Sequence, residues 1–236
     1  CRDYLNKKIE TTSDPIDGIN TGFGSLCDVR IHSENLTKLQ ENLVRSHACG
    51  TGDLVPHPII KLMLLLKIKS LSFGHSGVQL ETVKRLISFY NNDILPVIYT
   101  QGSLGASGDL APLAHLALPL IGEGMVWYKG VQTTAAEVLK IFDWKPITLQ
   151  SKEGLALLNG TQFMTAYGVH SLLKSFKLSY IADLVGAMSL DAYDGRIEPF
   201  DSLVHLVRPH NGQIKTAERI LNFLEDSELM QQPKKH

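Results

Sequence analysis

The chain has 236 residues, of which 44% are hydrophobic and 20% charged, with a formal net charge of -1. That length allows one domain with a substantial core or two small ones, and the composition is that of an ordinary globular protein. The balanced charge gives no basic surplus for nucleic acid or an anionic membrane surface, and the three cysteines, Cys1, Cys27 and Cys49, have neither a paired framework nor metal-type spacing. Reduced thiols in a cytoplasmic protein are the expectation. No signal peptide is visible.

Helical signals dominate the chain in order. Asn35 is placed to cap a helix carrying Leu36, Leu39, Leu43 and Val44 on one face and ending near Gly50. Pro58 suits the first turn of the next helix, which runs to about Ser72. The apolar run from Pro58 to Phe73 is broken by Lys61, Lys67 and Lys69 and is too short to span a bilayer, so it reads as a buried helix. Another helix follows Gly77, with Leu80, Val83, Leu86 and Ile87 apolar, and stops near Asn91-Asn92. Asp109 can cap a helix from Ala111 to Ile121, with Pro112 tolerated in the first turn. Met125 to Gln132, around Gly130, is the one hairpin candidate, and a short helix from Ala135 to Phe142 follows.

Thr161 to Tyr193 is the longest helical stretch. It lacks proline and is apolar over much of its surface, as a helix central to a bundle would be. Asn211 can cap a last helix through Leu224. The expected fold is all-α, mainly a helical bundle with long central helices and one small β-hairpin. A single domain over residues 1–236 is expected. The start at Cys1 without Met, and the abrupt end, read as those of a fragment.

The most informative run is Gly102-Ser103-Leu104-Gly105-Ala106-Ser107-Gly108-Asp109. By itself, Ser107 fits an ordinary surface serine in a glycine turn. It is not a hydrolase elbow, because Gly108 follows it at once and Asp109 sits where the second glycine belongs. Yet the tripeptide Ala106-Ser107-Gly108 is also able to cyclise. In a sharp bend the amide nitrogen of Gly108 can attack the carbonyl carbon of Ala106, since glycine tolerates the dihedrals and the close approach. Loss of that oxygen as water, and of the Ser107 hydroxyl as a second water, leaves an electrophilic five-membered ring made from the chain itself.

Five further stretches accompany this run. They are Gly18 to Gly24, Leu43-Val44-Arg45-Ser46-His47-Ala48-Cys49-Gly50, Ser76-Gly77-Val78, Lys152 to Gln162 and Arg208-Pro209-His210-Asn211-Gly212-Gln213. In this order, and over nearly the whole chain, the set resembles the aromatic amino acid ammonia-lyases, and among them the histidine-directed members. The resemblance implies the N-terminal half of a partial ammonia-lyase fold. It implies an autocatalytic methylidene-imidazolone from Ala106, Ser107 and Gly108 with no external cofactor and no metal. It also implies elimination of ammonia from L-histidine to give urocanate, and a homotetramer with shared active sites.

Individual residues then acquire two readings each. His47, late in its helix, satisfies a carbonyl or packs; by resemblance, Ser46-His47 is the selectivity position and His47 binds substrate imidazole. Asn159 is a helix C-cap before Gly160; by resemblance it lies beside the prosthetic group and substrate. His115, just after the loop, reads as a packed structural histidine. Asp17 stands where the family motif has the tyrosine that removes the β-proton. It occupies the base position, or it is a surface aspartate in a displaced loop. A carboxylate is shorter and, in water, about six pK units more acidic than a phenol. The family's substrate-gripping arginine and a later glutamate fall beyond residue 236. Two alternatives therefore stand: a lyase-like subunit or fragment without turnover, or a lyase or aminomutase for another aromatic amino acid, against which Ser46-His47 argues.

Overall fold

The computed structural model of the chain describes residues 1–12, 14–16, 18–22, 29–32 and 35–233. It divides into two compact units, Cys1–His170 and Ser171–His236. In the first, the elements in order are α1 (Arg2–Thr11), α2 (Leu36–His47), β1 (Thr51–Leu54), α3 (His57–Ser72), α4 (Leu80–Asn91), β2 (Leu95–Pro96), β3 (Tyr99–Gln101), α5 (Leu110–Ala117), β4 (Met125–Tyr128), β5 (Val131–Thr134), α6 (Ala135–Ile141), α7 (Glu153–Leu158) and the start of α8 (Gln162–Ala192). No helix among the described residues is long and apolar enough to cross a membrane.

Helix α5 is the hub of the first unit. Its sequence, Leu-Ala-Pro-Leu-Ala-His-Leu-Ala, is apolar nearly all round, and Leu113, Ala114 and Leu116 are fully buried. It packs against α2 and α7, while α3 packs on α4. Ile60, Met63, Leu64, Leu86, Phe89 and Leu120 fill the same continuous core. The helix expected to reach Ile121 turns α-helical to 3-10 at Leu118–Ile121, where Pro119 has no N–H to continue the α ladder. On α4 the apolar set is narrower than its sequence suggests: Val83 and Leu86 are buried, but Leu80 is exposed.

The hairpin forms as read. β4 and β5 pair antiparallel across Lys129-Gly130, whose φ values of 50° and 78° make the mirror-image turn that matches strand twist. Thr134 and Glu137 then form a reciprocal capping box on α6. Two additions depart from a single hairpin. β2 pairs with β4, and β1 pairs with β3 across a bulge. These strands are two to four residues long, too short for an alternating pattern to announce them.

Two buried polar groups fix α7. The carboxylate of Glu153 accepts the amides of Gln79 and Gln150 and the hydroxyl of Thr82. Gln40 of α2 accepts the amide of Gly154 at 2.9 Å, and a Cβ on Gly154 would lie 2.6 Å from the Gln40 carbonyl oxygen. The start of α7 is thereby tied to α2 and to the start of α4.

The second unit holds the remainder of α8, a 3-10 turn at Glu198–Phe200, α9 (Ser202–Leu206) and α10 (Asn211–Leu224). Ala187, Ile220 and Leu224 form its small core, and Tyr180 meets Phe223 edge-on. Asn211, expected as a cap, is the first helical residue, with His210 in the cap position. The sequence reading of α8 as a central helix is only partly realised within these residues. Leu172, Leu173, Phe176, Leu178, Val185 and Met188 are exposed. A helix apolar on all sides needs cover on all sides, and α10 supplies it on one.

Truncation of Leu116 to Ala is expected to destabilise the first unit by about 2–5 kcal/mol, and Leu172→Ala by less than about 0.5 kcal/mol, in denaturant titrations of the chain. Equal effects would show that α5 is not the centre of the core.

Candidate active site

Strand β3 delivers the chain into a loop over residues 102–109, and α5 begins at Leu110. No regular structure interrupts the loop. It folds on itself, with bridge contacts between Gly105 and Gly108 and between Ala106 and Gly108, and Ser107 at its exposed tip. The Gly108 amide donates to the Gly105 carbonyl at 3.4 Å. Gly108 has φ +90°, and a Cβ there would lie 2.3 Å from the carbonyl oxygen of Gly160. Only glycine satisfies both conditions. The loop is therefore sharply bent around residues 105–108, and Gly108 is the residue pressed against Gly160.

Asp109 holds the loop, though not in the expected way. Its side chain makes no cap on α5. It is fully buried and reaches instead to α8, where its carboxylate accepts the amides of Phe163 and Met164 at 2.9 and 3.0 Å. Its other oxygen accepts the Ser103 hydroxyl at 2.8 Å, and its own amide donates to the Gly160 carbonyl at 2.8 Å. One residue thus satisfies orphan donors of a remote helix, the near end of the loop and the Gly160 turn. Capping from 54 positions away leaves no local sequence signature.

Asn159 follows the last residue of α7 in extended conformation, and its amide donates to Leu155. The backbone thus makes the C-cap reading real, while the exposed side chain belongs to the residue immediately before the Gly160–Gly108 contact. Its carbonyl is the acceptor for Lys67, whose amine lies 2.9 Å away. Lys67 is 1% exposed, and burial pushes its amine down to about 7. The sequence reading treated this lysine only as an interruption of an apolar run. Its spacing from Ile60, Met63, Leu64 and Leu71 places it on the buried stripe of α3, and that periodicity was the available signal.

His47 ends α2. Its Nδ1 lies 2.9 Å from the Leu43 carbonyl and 3.1 Å from the Ser46 hydroxyl, so the local carbonyl is met by this nitrogen. The chain after it reaches the foot of the loop. The Gly50 amide donates to Nε2 of His115 at 3.0 Å, and the Gly50 Cα is 3.1 Å from where a Cβ on Gly102 would sit. His115 is edge-on to Tyr99 and its pKa is lowered by burial, which favours the neutral acceptor this bond requires. It is the packed structural histidine read from sequence. Asp17 lies outside the described residues. Nearby, buried Asn20 and Thr21 tie their own turn: Asn20 accepts the Ile16 amide, and the Thr21 hydroxyl donates to the Gly22 carbonyl.

The loop, the 159–160 turn and the segment after His47 thus converge from three distant parts of the sequence. The chain belongs to the aromatic amino acid lyase family, whose model matches residues 1–236. Among curated relatives, it is 48% identical over 223 residues to the histidine ammonia-lyase of Legionella pneumophila (strain Corby), covering 94% of this chain and 44% of that protein. Among solved structures, the histidine ammonia-lyase of Trypanosoma cruzi superposes with a TM-score of 0.86 at 38% identity, over 93% of this chain and 43% of the other. A tyrosine aminomutase from Streptomyces globisporus superposes with a TM-score of 0.87 at 36% identity, over 94% and 41%. The chain spans less than half the length of the relatives it matches.

Two outcomes are expected at this site. Asp109→Ala strips the acceptor from two amides of α8 and from Ser103, and is expected to destabilise the first unit by about 1–3 kcal/mol while accelerating hydrogen exchange at Phe163 and Met164. Unchanged exchange there would refute the capping role. The second concerns pH. The folded Lys67 amine titrates near 7 and the ordinary lysine near 10.5. Between these values the unfolded chain holds a proton that the folded chain lacks, so stability rises with pH across that window and is lower below it. The difference in unfolding midpoint between the native chain and Lys67→Met, followed from pH 6 to 10, is expected to carry this slope. A pH-independent difference would show that Lys67 does not titrate there.

Proposed function

We propose that this chain carries the electrophile-forming part of a histidine ammonia-lyase, which eliminates ammonia from L-histidine without oxidation to give urocanate. The observation that supports this best is the glycine-only contact of Gly108 with Gly160 in a loop bent at Ala106-Ser107-Gly108. Ring closure joins the Gly108 nitrogen to the Ala106 carbonyl carbon. The carbonyl oxygen leaves as water with the amide protons of Gly108 and Ser107, and the Ser107 hydroxyl leaves as a second water with the Ser107 Cα proton. No oxidant or external cofactor is needed. The resulting methylidene-imidazolone supplies an electrophile able to accept electron density from an amine or an aromatic ring.

The chain's own residues then divide the work. With Nδ1 turned to the Leu43 carbonyl, the Nε2 of His47 is the nitrogen assigned to the substrate imidazole, as donor or acceptor according to tautomer. The Asn159 side chain, next to the Gly160 contact, meets the substrate amine. Asp17 occupies the position of the proton-abstracting base. The uncovered apolar residues of α8 suit burial in a homotetramer with shared active sites. The unpaired thiols of Cys1 and Cys49 are in keeping with a cytoplasmic enzyme.

Asp17 also favours a second reading, a lyase-like protein that assembles without turnover. One substitution separates the two. With the chain carried in a complete lyase, Asp17→Tyr is expected to raise urocanate formation from L-histidine by about 10²–10⁴-fold, the ordinary contribution of a matched general base. Equal rates with aspartate and tyrosine would remove the base assignment. In the Asp17→Tyr background, His47→Leu is expected to lower kcat/KM for L-histidine while leaving the unfolding midpoint nearly unchanged; an unchanged kcat/KM would remove substrate contact.

A further inference from the structure

Among the described residues, Lys67 is the one buried lysine amine, and the proposed reaction gives it no role. It sits on the core stripe of α3, 92 residues before its partner, and donates to the backbone carbonyl of Asn159 at 2.9 Å. Among the described residues no carboxylate pairs with it, so it is not half of a buried ion pair kept for stability. Burial of such a group is unfavourable unless the bond it makes is needed. The acceptor is the carbonyl of the residue before Gly160, and Gly160 is the surface on which the ring-forming loop rests. Its own carbonyl takes the Asp109 amide at 2.8 Å and blocks any side chain at Gly108.

The peptide plane between Asn159 and Gly160 contains the carbonyl that Lys67 holds. Fixing that plane sets where the Gly160 Cα lies, and so the pivot from which the Gly160 carbonyl, itself held by the Asp109 amide, meets residues 108 and 109. Both protonation states of the amine retain an N–H donor, so the restraint persists on either side of neutrality, though it is stronger when charged. An apolar side chain at this position would fill the space and remove the donor that holds the Asn159 carbonyl, leaving that peptide free to rotate away.

Resting on the ring-forming reading, we infer that Lys67 is a positioning residue for the Ala106–Gly108 loop: through the Asn159 carbonyl it sets the Gly160 turn against which the loop is compressed, and cyclisation depends on it.

The test uses the intact mass of the purified chain, which registers the loss of two waters, together with amide hydrogen exchange. Lys67→Met, checked for its helical circular dichroism, is expected to slow the mass loss at least tenfold. It is also expected to raise exchange at least tenfold at Asp109, whose amide bonds to Gly160, without raising it in α4. Lys67→Arg, which keeps a donor, is expected to retain most of both properties. Cyclisation of Lys67→Met at the native rate would overturn the inference. So would exchange rising equally in α4 and at Asp109, because a merely structural lysine loosens the whole unit. If the native chain itself loses no water, the ring-forming reading fails independently. The exchange pattern then decides whether Lys67 positions the turn: a local rise at Asp109 supports it and none overturns it.

Discussion

The contact between Gly108 and Gly160 is the constraint on which the rest of this structure depends. It joins two backbone segments more tightly than any side chain would allow, with a Cβ excluded at 2.3 Å. Such an approach is unstable unless both segments are held from outside. Asp109 supplies one restraint, tying the loop to the Gly160 carbonyl and to the start of α8. The buried anchors Gln40 and Glu153 supply another through α7, whose end leads directly into Asn159 and Gly160. The apolar hub α5, starting one residue after Asp109, gives all of these a common rigid base.

This arrangement separates strain from stability. The bent loop exposes Ser107 and makes few bonds of its own. The restraining bonds are made by buried polar groups one step removed: Asp109, Lys67, Gln40 and Glu153. In a low-dielectric setting such bonds are directional and costly to break, so they hold geometry better than apolar packing does.

The second unit shows the opposite balance. Its core is three buried residues with a few half-buried neighbours, and much of its apolar surface is open.

The sequence by itself determined the helical character, the positions of α2, α3, α6, α8 and α10 to within a few residues, the hairpin at Lys129-Gly130, and the glycine-rich turn at Ala106-Ser107-Gly108. These follow from local causes: apolar periodicity, turn residues and the chemistry of adjacent small side chains. The short strands β1, β2 and β3 were not legible, because two to four residues cannot show a pattern and their pairing is nonlocal. Only the tertiary structure decided that Asp109 caps α8 rather than α5, that His115 serves Gly50, and that Lys67 serves Asn159. In each case donor and acceptor lie more than 50 residues apart, and nothing in a one-dimensional pattern records which distant carbonyl or amide a buried polar group will find.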